Sequence, residues 1–106
     1  MRISVSAPGD HLTQAELDRI EADLAKIDRR LNSFKEEISA EVRVSPRPRT
    51  KGHNVVVELD YGRTHLVAKA ENHDLGIAVR EAREELLRQI NDRSRGGHSS
   101  FSKRAR

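Results

Sequence analysis

A chain of 106 residues is long enough for one hydrophobic core and too short for two. With 35% hydrophobic and 3% aromatic residues, that core must be thin and aliphatic, which suits two stacked layers better than a deep enzyme cleft. The lack of cysteine excludes disulfides and thiol chemistry, and the net charge of +3 excludes neither an acidic nor a neutral body, because its distribution is uneven.

The first residues, MRISVSAPGD, alternate Ile3 and Val5 with Arg2, Ser4 and Ser6, a short strand broken by Pro8-Gly9-Asp10. They lack the continuous apolar segment of a secretion signal, and no apolar run reaches transmembrane length, so a soluble cytoplasmic protein is expected. Thr13 with Glu16 forms a capping box, and Leu12 with Leu17 is placed as a hydrophobic staple. Leu17, Ile20, Leu24, Ile27, Leu31 and Phe34 then recur at steps of three and four, predicting a first helix to about Ser33. Arg19, Lys26 and Arg30 line one side of its stripe, with Asp23 intruding among them; Glu21 and Asp28 line the other.

A second strand follows, with Ile38, Ala40, Val42 and Val44 alternating against polar residues. The segment PRPRTKGH, 46–53, has two prolines, a glycine and the cations Arg47, Arg49 and Lys51 without an acid, and reads as a basic loop. Val55, Val57 and Leu59 define a third strand, and Gly62 a short turn. Leu66, Ala68 and Ala70 define a fourth strand. Asn72 or Asp74 caps a final helix whose stripe is Leu75, Ala78, Val79, Ala82, Leu86 and Ile90. Arg80 and Arg83 fall together on its far side and Arg88 apart from them, with Arg80–Glu84 and Glu84–Arg88 as supporting i,i+4 pairs. Continuing the helix to Arg93 would set a guanidinium into the apolar stripe, so fraying is expected around Asn91–Asp92.

The order β-α-β-β-β-α predicts an α+β fold of two layers: a four-stranded mixed sheet with both helices on one face and water on the other. A right-handed crossover makes the first two strands parallel, and the remaining strands form an antiparallel meander. Residues 1–92 form this domain, and 93–106 are a tail without periodicity. Residues 1–90 hold 15 Lys and Arg against 16 Asp and Glu, whereas 91–106 hold Arg93, Arg95, Lys103, Arg104 and Arg106 against Asp92 alone. A nearly neutral body with a cationic tail points to an anionic partner, nucleic acid before membrane surface.

Catalytic or metal chemistry has little support. The five histidines, His11, His53, His65, His73 and His98, sit in different elements without metal-ligand spacing. Asp10-His11 and His73-Asp74 read as turn and cap chemistry. Gly96-Gly97 lacks the strand–loop–helix context of a phosphate loop. No enzyme, cofactor, metal or small-molecule substrate is therefore expected. Four cationic groups remain: Arg19, Lys26 and Arg30; Arg80 and Arg83; Arg47, Arg49 and Lys51; and the tail. Phe34, Tyr61 and Phe101 are too scattered to stack single-stranded bases, which favours structured RNA read through phosphates and helical shape.

HLTQAELDRIEADLAKIDRRL, the meander, and HDLGIAVREAREELLRQI together resemble the family of ribosome hibernation promoting factors and ribosome-associated inhibitors (protein Y). Thr13, Leu24, Ala25, Lys26 and Ile27 stand at its first-helix motif; Asp74, Leu75, Ala78, Val79, Leu86, Arg88, Gln89 and Ile90 stand at its last-helix motif. The resemblance covers residues 1–92. It implies a fold shaped like double-stranded RNA-binding domains. It also implies a monomer that docks on small-subunit rRNA at the decoding region, silencing idle ribosomes under stress or in stationary phase. By position, Lys26, Arg80, Arg83 and Arg88 would contact phosphates, backed by the basic loop. Arg19, Arg30, Arg93 and Arg95 complete the candidate set. The chain departs from the family where Gly76 replaces an aromatic and where Asp23 and Glu85 replace cations. It also lacks the C-terminal domain of the long factors, so dimerising ribosomes through such a domain is not expected, and its basic tail is more like the short inhibitor type. Rival readings are a generic double-stranded RNA binder and a protein-interaction module using Val56 and Val67 on the wet sheet face.

Overall fold

Six elements follow one another as the residue patterns require: β1 (Arg2–Ser6), α1 (Gln14–Arg30), β2 (Ile38–Pro46), β3 (His53–Tyr61), β4 (Thr64–Asn72) and α2 (Leu75–Ser94). The computed structural model describes residues 1–9, 11–31, 37–47 and 51–94. The strands form one sheet in the order β1-β2-β3-β4. β1 runs parallel to β2, with Ile3 opposite Ala40 and Val5 opposite Val42, and the two later pairings are antiparallel.

Period-two alternation sends one side-chain row of each strand beneath the helices. Val42, Val57 and Ala68 lie side by side across three strands, each at most 2% exposed. From above, Ile20, Leu24 and Ile27 of α1 and Ala78, Val79, Ala82, Leu86 and Ile90 of α2 close on that surface. The opposite face carries Ser39, Glu41, Arg43, Val56, Glu58, His65, Val67 and Lys69; Val67 is the one large hydrophobic residue exposed among those described.

Both helices start where capping chemistry places them. Thr13 Oγ1 accepts from the Glu16 N–H at 3.1 Å, and Glu16 Oε1 accepts from the Thr13 N–H at 2.9 Å. For α2 the two candidate caps divide the work. Asp74 Oδ1 accepts from the Ile77 N–H at 3.1 Å, while Asn72 Oδ1 accepts from the Asp74 N–H at 2.9 Å, fixing the turn that leads in.

Three expected boundaries shift. α1 ends at Arg30, short of the expected Ser33, with Leu31 as its C-cap and the Leu31 N–H donating to Ile27 O and Asp28 O at 3.0 and 3.2 Å; Ser33 and Phe34 lie outside the described residues. α2 does not fray at Asn91–Asp92 but runs to Ser94. Its stripe ends at Ile90, Arg93 emerges into water, and the would-be fraying residues are held by side chains. Arg30 Nε donates to Asn91 Oδ1 at 2.9 Å and Arg88 Nη1 to Asp92 Oδ2 at 3.0 Å. The basic loop is also shorter than 46–53, since Pro46 pairs with His53 and the Arg47 N–H donates to Gly52 O at 3.2 Å. Proline is tolerated there because β1 pairs β2 only as far as Arg43, which leaves Pro46 on an open edge.

α2 packs across β3 and β4, and α1 packs against α2. Arg19 lies over Gly76, Asp23 meets Arg83, and Arg30 meets Asn91. The two helices therefore run side by side in the same direction, with both N-termini at one end.

Candidate nucleic-acid interface

Parallel packing leaves a groove between the exposed edges of α1 and α2. It has a volume of about 450 Å³, and its charged lining is Arg19, Asp23, Lys26, Asp74, Arg80 and Arg83. At its N-terminal end the β2–β3 hairpin closes in. Gly52 has a φ of +124° and sits so near the β4–α2 turn that a Cβ would fall 2.7 Å from Asn72 O and 2.9 Å from His73 Cα. Only glycine permits that approach, which ties the basic loop to the start of α2.

The candidate cations divide by what holds them. Arg19 and Arg80 are exposed and have no acidic partner among the described residues, and the same holds for Lys51 beside the hairpin. Lys26 is half exposed, with Asp23 at the outer limit of an ion pair, 4.0 Å away. Arg30 reaches Asn91, as above. Arg47 is 3.3 Å from Glu71 and partly covered. Arg93 is exposed in the last turn of α2, at the far end of the helix pair. Arg49 and Arg95 lie outside the described residues.

Arg83 corrects the expectation most sharply. It does not stand beside Arg80 on an outer face but is 6% exposed in the seam between the helices. Nη1 donates to Asp23 Oδ1 at 2.5 Å and Nη2 to Glu84 at 3.4 Å, while Nε is buried without a hydrogen-bond partner among the described residues. The cause is the side-by-side packing, which turns that side of α2 onto α1. Glu84 accordingly serves Arg83 rather than forming i,i+4 pairs with Arg80 and Arg88. Arg88 instead grips Glu85 at 2.5 Å and Asp92 at 3.0 Å. Hydrogen bonds from Arg88 and Gln89 hold the Glu85 carboxyl below its usual pKa, and Glu85 in turn raises that of Arg88.

Magnitudes decide what each arginine can do. Exposed pairs such as Arg88–Glu85 contribute about 0–1 kcal/mol, so a phosphate can displace the carboxylate. Withdrawing one partner from a buried pair costs roughly 3–5 kcal/mol, which keeps Arg83 in the seam. Sequence reading recognised Asp23 as an intruder but missed its target, a residue 60 positions away on the facing helix.

Among the described residues, no group of three or more His, Asp or Glu is placed to hold a metal ion, and no helix is long and apolar enough to cross a membrane. His65, on the open sheet face, has two acidic neighbours. Its Nδ1 lies 2.6 Å from Asp60 Oδ1 and its Nε2 lies 3.8 Å from Glu58. The Asp60 hydrogen bond and charge raise the His65 pKa above the ordinary 6.5.

The Sigma 54 modulation protein / S30EA ribosomal protein family matches residues 3–95. Among solved structures, the N-terminal domain of Thermus thermophilus Protein Y superposes with a TM-score of 0.70 at 25% identity, covering 85% of this chain and 96% of that one. A ribosomal subunit interface protein from Coxiella burnetii gives 0.75 at 18% identity, covering 89% and 98%, and so supports the shared fold. The comparison with curated proteins gave no match. With the family spanning every element described above, the chain belongs to the Sigma 54 modulation protein / S30EA ribosomal protein family of ribosome-associated factors.

Proposed function

We propose that the chain docks on the small ribosomal subunit through the α1–α2 groove and silences idle ribosomes by covering the tRNA and mRNA sites of the decoding region under stress or in stationary phase. The observation that carries this reading is a pair of guanidiniums without acidic partners among the described residues, Arg19 from one helix and Arg80 from the other, lining one groove with Lys26. Cations held on two parallel helices suit an RNA backbone, whose phosphates repeat along a track, better than a compact ligand.

Arg19, Lys26, Arg80 and Lys51 carry the first contacts. Arg30, Arg47 and Arg88 join by exchanging their intramolecular partners for phosphate. Arg83 supports the face from beneath without touching RNA. Arg93 and Arg95 begin a basic tail that extends the contact along the mRNA path, and Arg49 adds to the cations of the β2–β3 loop. Off the ribosome the protein is a monomer and needs no cofactor.

Sucrose-gradient sedimentation of tagged protein with purified subunits tests the partner, and chemical footprinting of the rRNA tests the place. The expected result is co-migration with the small subunit, with protections around the decoding region that disappear at high salt. Co-migration that survives high salt, or protections confined elsewhere, would refute the reading.

A further inference from the structure

The second residue of α2, Gly76, carries no side chain, and Arg19 of α1 lies over it. An ideal Cβ there would lie 3.5 Å from Arg19 Nη1 and 3.7 Å from Arg19 Cδ. These are ordinary contact distances, so the Arg19 side chain lies over Gly76 with room for little more than a methyl group between them. Gly76, Arg19 and Asp74 also border both neighbouring concavities, the interhelical groove and a smaller cavity of about 270 Å³ between the helix N-termini. Glycine this early in a helix is otherwise unfavourable by about 1 kcal/mol relative to alanine. Its φ is not in the left-handed region, so backbone geometry does not demand it.

We infer that Gly76 is a specificity-determining position: by leaving the first turn of α2 bare, it seats the Arg19 guanidinium of α1 across the groove, in line with Arg80, as a phosphate contact. This rests on the ribosomal reading above. Arg19 has no acidic partner among the described residues to hold it over α2, and the small residue at position 76 leaves it room to lie there. A methyl group fits with Arg19 in place, needing only a few tenths of an ångström from Asp74 Oδ1, which would lie 3.2 Å away. A longer side chain would extend from a Cβ already in contact with Arg19 and compete with it for the space over α2.

The test is a graded series at position 76 crossed with position 19. Gly76→Ala should bind ribosomes within about twofold of wild type, having kept Arg19 seated. Gly76→Leu should weaken binding about tenfold and flatten the log affinity–log salt slope by roughly 0.7–0.9, the signature of one lost phosphate contact. Arg19→Ala should do the same, and Arg19→Ala with Gly76→Leu should be no worse than either alone. Without ribosomes, the Arg19 Nε–H resonance should move in Gly76→Leu and stay in Gly76→Ala, reading the steric coupling independently of any partner. Thermal melts check that each variant folds. A Gly76→Leu protein with unchanged Arg19 resonance, or losses that add in the double variant, would overturn the inference. Failure of the wild type to bind ribosomes, with the resonance shift intact, would instead sink the ribosomal reading and leave the seat standing.

Discussion

Replacing Arg83 by alanine should destabilise the protein rather than unload a binding face. The guanidinium is 6% exposed, and its partner Asp23 has a side chain 18% exposed. Stripping one member from a buried pair costs roughly 3–5 kcal/mol. Because Asp23 keeps some access to water, the lower end applies, about 3 kcal/mol. Loss of the aliphatic stem from the seam adds to this rather than offsetting it. In a domain of this size each kcal/mol moves the midpoint by about 4–8 °C, so Arg83→Ala should melt roughly 12–24 °C below wild type. Arg83→Glu should be worse, since it presents a second carboxylate to Asp23. The double variant Asp23→Leu with Arg83→Met removes both charges and keeps the volume, and should recover most of the loss. Thermal unfolding by circular dichroism measures all four proteins. An Arg83→Ala midpoint within about 3 °C of wild type would refute the claim that this pair joins the helices.

Other perturbations reach different elements. Thr13→Ala removes the hydroxyl of the α1 capping box and should cost about 1 kcal/mol in urea unfolding, with ribosome binding retained. Leu86→Ala empties a fully buried site beneath α2 and should cost about 2–5 kcal/mol by the same measurement. His65 should titrate above 6.5 in an NMR pH series, and Asp60→Asn should bring it back toward that value. Because the folded pKa is the higher one, the His65–Asp60 contact stabilises fully below the unfolded value and is lost as pH rises through the folded one.

Fold was legible in the sequence because its signals are local. Alternation in Ile38–Val44 and Val55–Leu59, the Thr13–Glu16 box and the Leu75–Ile90 stripe each specify an element within a few residues. The candidate face was only partly legible, because a helical wheel shows which residues leave the core but not which of them meet another helix. Arg80 and Arg83 look equivalent on α2 alone, yet α1 covers one and leaves the other in water. Helix ends were misjudged for a related reason: Asn91 is held by Arg30, a contact spanning 61 positions. Gly76 stood out as a departure from the family pattern, but its consequence depends on Arg19 arriving from α1.

The claim that groove cations neutralise rRNA phosphates is tested most directly by the salt dependence of ribosome affinity for wild type and for Arg19→Ala with Arg80→Ala. Both residues are exposed and outside the core, so the variant should melt with the wild type. Its log affinity–log salt slope should be shallower by roughly 1.4–1.8, two contacts' worth. A folded variant whose slope and affinity match wild type would place the binding surface elsewhere on the molecule.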